Sequence, residues 1–432
     1  MANTFNVRLP KSEFSEFYSR LQAWLEKSLP LHIHVLLSGK DHYRSPGPHN
    51  YKLLCGINWE ENSCNALADL DKYAEGHFCF GVLPYDLKND IEDLTSRNDS
   101  FYPPLGYLLR RPEILIKVGY DYVLSIESST GFDAENIYQE ILACPLPKMD
   151  ALQHASVQFS SDITDEEYLG KVERIRDEIV EGNVYEISYC RNYFAQEKIN
   201  PFRLFQSFAS RNPTPYSAFI KSNDQYVVCG SMERFLCRNG DVVVSQPIKG
   251  TIHNSGHHNE AEKEALLSSE KERAENLMIV DLVRNDLSKS AMVGSVDVRE
   301  LFGIYSYPNV HQMISTVEAQ VSPSVGLEQL IRDTFPMGSM TGAPKLRAMQ
   351  LIEELENFRR GTYSGSIGYI DQNGDFDWNV VIRSVIYDST SNQVSIPVGS
   401  AITYDSVPKD ELNECRVKVE RIMDLVGAAV TD

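Results

Sequence analysis

Short apolar segments run through the second half of the chain, and tight turns join two pairs of them. Asn239-Gly240 and Asn373-Gly374 each stand between two such segments. Because Asn-Gly favours the two-residue turn of a β-hairpin, both positions predict antiparallel strands. We therefore expect an α+β fold in which antiparallel sheet forms the core and helices lie outside. With 432 residues, the chain is long enough to bury a large core.

The hydrophobic periodicity predicts individual elements. Strands are expected at residues 184–194, 225–229, 235–237, 242–247, 366–370, 378–387 and 393–397. Helices are expected at residues 259–287, 327–334, 344–357 and 410–426. Thr164 and Glu167 form a capping-box pattern that opens a further helix, and Gly182 is placed to end it. The segments at 38–50 and 144–153 break the periodicity, and we expect loops there.

The composition excludes some classes of function. Lys and Arg total 41 against 61 Asp and Glu, so the formal net charge is −20. This excess opposes non-specific binding to nucleic acid or to an anionic membrane surface. No apolar run is long enough to span a bilayer, and the first residues have no apolar signal core. The eight cysteines form no CxxC pair and are typical of buried free thiols in a cytosolic protein.

Two of the predicted helices each carry a pair of glutamates three residues apart. Glu272 and Glu275 lie on the first, and Glu411 and Glu414 lie on the second. Three-residue spacing places both members of a pair on one helical face. If the two faces converged, their oxygens would suit Mg²⁺, which is held by carboxylates together with waters and substrate. On spacing alone, a solvated helix face is the more common outcome.

Two basic residues allow either a structural or a functional role. Lys249 follows an apolar strand pattern and precedes Gly250. It is either an exposed lysine or a cavity lysine that becomes nucleophilic on desolvation. Arg383 lies within a pattern fit for burial and therefore needs an anionic partner, either a structural carboxylate or a carboxylate of a ligand.

A glycine-rich segment at residues 338–345 precedes one of the predicted helices. Thr341 could cap that helix, and Pro344 suits its first turn. Exposed backbone N–H groups at such an entry bind anions. A tight structural turn is the equal alternative.

Seven segments, in order along the chain, resemble the motifs of the chorismate-binding enzymes, a family that includes anthranilate, aminodeoxychorismate, isochorismate and salicylate synthases. They are 231–235 (SMERF), 247–251 (PIKGT), 271–287 (KERAENLMIVDLVRNDL), 335–349 (FPMGSMTGAPKLRAM), 360–369 (RGTYSGSIGY), 380–384 (VVIRS) and 399–418. The resemblance implies two large antiparallel sheets packed together with helices outside, as in anthranilate synthase component I. It also implies an N-terminal region (1–150) that is interwoven with the chorismate-binding catalytic region (160–427).

The resemblance implies chorismate as substrate and Mg²⁺ as the required ion. Glu275 and Glu414 fall where the family places its metal ligands, with Glu272 and Glu411 as close companions. Glu233 matches the proposed general acid for departure of the C4 hydroxyl, a role that needs a pKa near neutral. The positions that match the family's substrate contacts are Gly250, Thr251, Tyr363, Arg383, Gly399, Ser400, Ala401 and Lys418.

Lys249 separates the branches of the family. Anthranilate synthases usually have Ala there, whereas aminodeoxychorismate synthases carry Lys. In the mechanism proposed for the latter, this Lys attacks C2 as the C4 hydroxyl leaves, and ammonia then attacks C4 and expels the Lys. Isochorismate and salicylate synthases keep a water-activating Lys where this chain has Glu186. The resemblance therefore implies amination of chorismate at C4 for 4-aminobenzoate and folate synthesis, with anthranilate synthase component I as the alternative.

The source of ammonia is expected to be a separate glutamine amidotransferase subunit, because no cysteine lies in the Gly-x-Cys-x-Gly turn of a glutaminase. A non-catalytic relative that binds chorismate or tryptophan is a further alternative, which the retained Glu233 and Lys249 oppose.

Three positions depart from the family pattern. They are Glu186 in place of a frequent Gln, Gln312 in place of His, and Ala401 in place of Gly.

Several relatives have a tryptophan pocket in their N-terminal part. Ser38, Pro215, Tyr216 and Ser217 lie at matching places. In anthranilate synthases the pocket serves feedback, and in aminodeoxychorismate synthases it can be structural. Around Ser38 the alternative is a simple turn from strand to loop.

Overall fold

The computed structural model describes residues 3–28, 30–38, 51–59, 62–129, 131–146, 157–256, 259–426 and 428–430. In chain order its strands are β1 (Asn3–Arg8), β2 (His32–Leu37), β3 (Tyr51–Asn58), β4 (Ser63–Cys64), β5 (Cys79–Leu83), β6 (Leu109–Arg110), β7 (Ile114–Gly119), β8 (Val123–Ser128), β9 (Val157–Ser161), β10 (Glu186–Gln196), β11 (Tyr216–Ser222), β12 (Gln225–Ser231), β13 (Arg234–Asn239), β14 (Val242–Gln246), β15 (Ile248–His253), β16 (Asp297–Ser306), β17 (Val310–Gln320), β18 (Gly342–Ala343), β19 (Ser366–Ile370), β20 (Phe376–Asn379), β21 (Ser384–Asp388), β22 (Gln393–Ile402) and β23 (Ala428–Val430). Its α-helices are α1 (Phe14–Ser28), α2 (Leu70–Ala74), α3 (Ala134–Ala143), α4 (Asp165–Val180), α5 (Pro201–Arg211), α6 (Glu260–Ser268), α7 (Glu270–Ser288), α8 (Leu327–Thr334), α9 (Lys345–Leu355) and α10 (Pro408–Val426). Short 3-10 helices lie at Lys11–Glu13, Leu67–Asp69, Tyr85–Asp90 and Gly338–Met340.

Two large sheets organise these strands. In the 13-stranded sheet the order is β1-β8-β7-β3-β2-β11-β12-β21-β22-β10-β9-β23, with β18 beside β10. In the 10-stranded sheet the order is β15-β17-β14-β13-β20-β19-β5-β6-β4, with β16 beside β17. Among the described strands the pairing is antiparallel except between β9 and β23. The expected α+β class with two large antiparallel sheets is confirmed.

Strands from the N-terminal region enter both sheets. β2 pairs with β11 in the larger sheet, where Leu37 lies opposite Ser217. β5 pairs with β19 in the smaller sheet, where Val82 lies opposite Ile367. The N-terminal strands thus complete sheets that the rest of the chain forms.

The larger sheet is buried on both faces, because successive side chains of a strand point to opposite sides. In β11 and β12, Phe219 and Val228 pack in a cluster with helices α1, α4 and α10. Their neighbours Ile220 and Val227 pack instead with Trp378 of the smaller sheet. The larger sheet therefore lies between a helical layer and the smaller sheet. None of the helices in the described part of the chain is both long and apolar enough to cross a membrane.

Several expected local features are present. Thr164 and Glu167 form the capping box at the start of α4. Gly182 follows that helix with a φ of 80°, as expected of a terminating glycine. Antiparallel hairpins join β13 to β14 and β19 to β20 through the two Asn-Gly turns. At these positions the turn and cap chemistry was readable without tertiary information.

Two expected elements are wrong because each is divided in the structure. The helix expected at 259–287 is interrupted at Ser269, which ends α6 and accepts a hydrogen bond from the Glu272 N–H at the start of α7. The strand expected at 378–387 is likewise two strands, β20 in the smaller sheet and β21 in the larger. Arg383 lies between them with a φ of 52° and turns the chain from one sheet to the other.

Thr341 does not cap α9, contrary to expectation. Its hydroxyl donates to the carbonyl oxygens of Met337 and Gly338, and Pro344 occupies the N-cap position. Residues 39–50 of the first expected loop and 147–153 of the second lie outside the described residues.

Candidate active site

A cavity of about 430 Å³ is lined by both sheets and by helices α7 and α10. Its volume falls within the range of small-molecule sites. Every residue expected to act on the substrate or to hold the metal lines it. These residues are Glu233, Lys249, Gly250, Thr251, Glu272, Glu275, Tyr363, Arg383, Gly399, Ser400, Ala401, Glu411, Glu414 and Lys418.

A β-bulge aims Lys249 into the cavity. The pairing of β15 with β17 shifts register between Ile248 and Thr251, and such irregularities re-aim side chains near active sites. Gly250 has a φ of 95°, and a Cβ there would lie 3.2 Å from both Glu272 Oε2 and Met313 Cβ. The positive φ therefore favours glycine after the lysine, and a Cβ there would also make Glu272 or Met313 give way slightly.

Lys249 forms an ion pair with Glu186. The distance from Lys249 Nζ to Glu186 Oε1 is 2.6 Å, and the two side chains are only 11% and 1% exposed. Burial by itself lowers the pKa of Lys249, but the charge and hydrogen bond of Glu186, followed by the charges of Glu275 and Glu233, outweigh it and raise that pKa. Lys249 is therefore a buried ammonium and not the exposed lysine that the sequence also allowed.

Glu233 is a buried carboxyl in the same cavity. Burial raises its pKa to about 7, and the positive charge of Lys249 opposes the rise. Its backbone is held on both sides, since its N–H donates to Ser231 Oγ and its carbonyl accepts from the Val380 N–H. A carboxyl with a near-neutral pKa can donate a proton at physiological pH, as the general-acid role requires.

Four glutamates face the cavity from α7 and α10. Burial, joined by the negative charge of neighbouring carboxylates, raises the pKa of Glu275 to about 7 and also raises that of Glu272 and Glu411. At Glu414 burial acts in the same direction, but the charge of Lys418 outweighs it and the pKa is lowered. A bound cation would relieve this mutual repulsion.

The donor chemistry of this cluster fits Mg²⁺. Glu411 Oε2 is buried and accepts no hydrogen bond from the residues that the structure describes. Within those residues, no three acidic, histidine or cysteine side chains are already gathered into a metal-binding group. Mg²⁺ commonly binds through one or two carboxylates together with waters and substrate, so a complete protein cage is not required.

Cationic side chains line the same cavity as the glutamates. Arg383 has no ion pair with any carboxylate in the described part of the chain, and its pKa is lowered by burial and then by the charge of Arg421. A buried guanidinium beside a second cation, with no ion pair among the described residues, favours the binding of an anion. Of the two explanations open for Arg383, this arrangement favours the carboxylate of a ligand.

The glycine-rich segment at 338–345 is a tight turn that braces β10. The Ser188 N–H donates to the Thr341 carbonyl at 2.8 Å, and the Tyr185 N–H donates to the Ala343 carbonyl at 2.7 Å. Gly342 has a φ of 147°, and a Cβ there would lie 2.0 Å from the Glu186 carbonyl oxygen. The segment therefore fixes the start of the strand that carries Glu186.

A buried arginine supports the same wall. Arg360 pairs with both oxygens of Glu356 and also donates to the carbonyls of Ser188 and Met340, which line the cavity.

Two of the residues that depart from the family pattern lie in or beside this cavity. Ala401 occupies an ordinary strand position opposite Ser188. Gln312 lines the cavity and donates to the Met232 sulfur.

Sequence reasoning did not single out two cations that line the cavity, Lys271 and Arg421. Lys271 lies 3.8 Å from Glu275, one helical turn away. Arg421 follows Lys418 by three residues on α10. Helical spacing from residues already identified could have found both.

The four residues expected in a tryptophan pocket also come together. Ser38, Pro215, Tyr216 and Ser217 line a second cavity of about 50 Å³. That volume is far below the several hundred Å³ of typical small-molecule sites. The Ser38 hydroxyl hydrogen-bonds to the Tyr120 hydroxyl at 2.6 Å, and so it already has a partner. As the described residues are arranged, this cavity has room for water but not for an amino acid.

The chain is similar to proteins of known family. A family described as chorismate binding enzyme matches residues 53–424. Aminodeoxychorismate synthase component 1 of Bacillus subtilis is 36% identical over 350 residues, which cover 77% of this chain and 73% of the relative. The chloroplastic aminodeoxychorismate synthase of Arabidopsis thaliana is 43% identical over 363 residues, which cover 78% of this chain. The matched part is 39% of that longer protein.

A solved structure shows the same fold. Anthranilate synthase component I from Streptococcus pneumoniae superposes with a TM-score of 0.75 over 97% of this chain and 92% of its own. The two sequences are 22% identical, so this likeness concerns the fold alone.

Proposed function

The chain belongs to the chorismate-binding enzyme family, and we propose that it aminates chorismate at C4 to form 4-amino-4-deoxychorismate for 4-aminobenzoate and folate synthesis. Two relatives named aminodeoxychorismate synthase support this choice within the family. The observation that carries it is the position of Lys249, which lines the same cavity as the buried acid Glu233. Anthranilate formation needs no lysine at that place.

Binding of chorismate would use both the acidic and the basic side chains of the cavity. Glu275 and Glu414, with Glu272 and Glu411 beside them, would hold Mg²⁺, which neutralises a carboxylate of the substrate. A second carboxylate would lie near Arg383, whose guanidinium can donate two parallel hydrogen bonds to it. Together the two charges orient the ring of chorismate.

The chemistry would proceed in two displacements. Glu233 gives its proton to the departing C4 hydroxyl while the Lys249 amine forms a bond to C2, and the two conjugated ring double bonds shift from C1=C2 and C5=C6 to C1=C6 and C4=C5. Ammonia then attacks C4, the double bonds shift back to C1=C2 and C5=C6, and the bond from C2 to Lys249 breaks. Two displacements explain why nitrogen takes the place of the hydroxyl with its configuration kept.

The ammonia would come from a separate glutamine amidotransferase. The sequence has no cysteine in a glutaminase nucleophile turn, and the Bacillus subtilis relative is named as component 1. We therefore propose that glutamine supports turnover only when the partner subunit is present, whereas ammonium salts support it without a partner.

Product analysis tests the proposal. Incubation with chorismate, Mg²⁺ and ammonium chloride should yield 4-amino-4-deoxychorismate, and accumulation of anthranilate would contradict it. Lys249→Ala should reduce amination by at least ~10³-fold, because it removes the covalent route. Lys263→Ala, which changes a lysine on α6 that pairs with neighbouring Glu260, is the matched control and should leave the rate unchanged. Full activity of Lys249→Ala would exclude the covalent mechanism.

A further inference from the structure

The proposed attack requires an uncharged amine, whereas the 2.6 Å ion pair with Glu186 favours the ammonium form of Lys249. Its proton must therefore leave before the bond to C2 forms. The acceptor must contact Nζ directly and must be shielded from solvent, so that the proton is kept for the return step. Glu186 meets both conditions, because Oε1 lies 2.6 Å from Nζ and its side chain is 1% exposed.

We propose that Glu186 accepts the proton of Lys249 and returns it when the lysine is expelled, an inference that rests on the proposed covalent amination. The residue lies 63 positions before Lys249 in the chain. It opens β10, where the turn at Gly342 and Ala343 fixes its backbone. Its second oxygen, Oε2, accepts no hydrogen bond from any residue in the described part of the chain. No described side chain therefore competes with Lys249 for this carboxylate.

The protons and electrons balance over the cycle. The proton passes from Nζ to Glu186, which leaves a neutral carboxylic acid and a neutral amine. The amine lone pair forms the bond to C2, and the electron pair of the C4–O bond leaves with oxygen, which takes the proton of Glu233 and departs as water. Ammonia contributes its lone pair to C4, and the ammonium formed there gives one proton to Glu233, which restores the acid. The C2–N electron pair returns to Lys249, and Glu186 gives the proton back.

Other charged groups around Nζ are less suited to this task. The groups that act on Lys249 from the elements packed around it are Glu186, Glu233, Glu272, Glu275 and Glu414. Glu233 must keep its own proton for the leaving hydroxyl. The remaining three belong to the cluster that would hold Mg²⁺. Glu186 alone of these five forms an ion pair with Lys249 within the described structure.

Replacement of Glu186 by its neutral isostere tests the inference. The readout is the ratio of kcat for the wild type to kcat for Glu186→Gln, measured with Mg²⁺ and saturating chorismate at a constant concentration of free ammonia. Titration of Glu233 and of ammonia cancels in this ratio. We expect a ratio of ~10²–10³ at pH 7, the usual contribution of general acid–base catalysis. It should fall about tenfold per pH unit towards pH 9, because solvent then takes the proton of Lys249 in the variant.

Two further variants separate proton transfer from structural support. Asp286→Asn removes another buried lysine–carboxylate pair, in which Lys345 Nζ lies 2.5 Å from Asp286 Oδ2. It should lower the melting temperature yet keep the pH profile of the wild type. Glu186→Asp keeps a carboxylate and should restore that profile at a reduced rate, which decides the question even if Glu186→Gln does not fold.

The outcomes are distinct from those of the proposed function. A Glu186→Gln enzyme within threefold of the wild type, or one that loses the same factor at every pH, would overturn the role of Glu186 while amination stood. A Glu186→Asp enzyme with an altered pH profile would also overturn the role of Glu186. Full activity of Lys249→Ala, or anthranilate as the product, would instead remove the premise on which this inference rests.

Discussion

Lys418 Nζ lies 2.5 Å from Glu414 Oε1 and also donates to the Gly399 carbonyl at 2.7 Å. One cation thus joins a proposed metal ligand on α10 to the substrate-facing backbone of β22. The contact also explains why Glu414 alone of the four glutamates has a lowered pKa.

Lys418→Met should weaken chorismate binding more than it slows the chemical step. Loss of a charge-assisted hydrogen bond is worth about 1.5–3 kcal/mol, so KM for chorismate should rise by roughly 10- to 100-fold. Steady-state kinetics at saturating Mg²⁺ and ammonium measure this. The matched control is Lys409→Met, an exposed residue on the first turn of the same helix, which should change neither constant. A fall in kcat with an unchanged KM would contradict the positioning role of Lys418.

Glu233→Gln should abolish most activity and yet stabilise the protein at high pH. The variant loses its acid, which should reduce kcat by ~10²–10⁴-fold. The folded-state pKa of Glu233 is raised to about 7, so the folded protein holds this proton more tightly than the unfolded chain does. Its contribution to stability is complete below the unfolded pKa and is lost as pH rises through about 7.

The amide carries no charge and should therefore raise the free energy of unfolding by up to about 3 kcal/mol at pH 8, but not at pH 4. Urea unfolding at the two pH values measures the difference. An equal change in the free energy of unfolding at both pH values would show that the Glu233 carboxylate is not destabilising in the folded state.

Glu275→Gln should remove the effect of Mg²⁺ on thermal stability. In the wild type, Mg²⁺ together with chorismate should raise the melting temperature, because the ion relieves repulsion among the four carboxylates. The variant should lose most of that rise. Asp281→Asn, on the same helix and paired with nearby Arg284, should keep that rise. An undiminished rise in Glu275→Gln would assign the ion to other residues.

Tryptophan should neither bind nor inhibit. The cavity at Ser38, Pro215, Tyr216 and Ser217 measures about 50 Å³, and its wall includes Asp377, which is paired with buried Arg234. Enlarging it would disturb a buried ion pair, at a cost of several kcal/mol. Isothermal titration calorimetry with millimolar tryptophan should show no heat of binding. Competitive inhibition of amination by tryptophan would show that the pocket opens.

Local signals in the sequence were sufficient for much of the fold. The capping box at Thr164 and the two Asn-Gly hairpins involve neighbouring residues, so nothing distant could change them. The break at Arg383 was missed because both halves of the segment are apolar, and periodicity does not reveal that they belong to different sheets. The break at Ser269 was missed because a helical pattern continues on both sides of it.

By itself the sequence determined which side chains enter the cavity, because motif order and helical spacing identify the glutamates, Arg383 and Lys249. Only the tertiary structure decided which charges face one another. In the sequence Glu186 is noted only as a departure from the family pattern, and Lys249 is a lysine beside a glycine. Sheet order and a bulge place them 2.6 Å apart in a buried wall. The energy of a charge pair depends on the separation and the solvation of the two charges. Distant parts of the chain set both quantities, so the tertiary structure determines the protonation state of the proposed nucleophile.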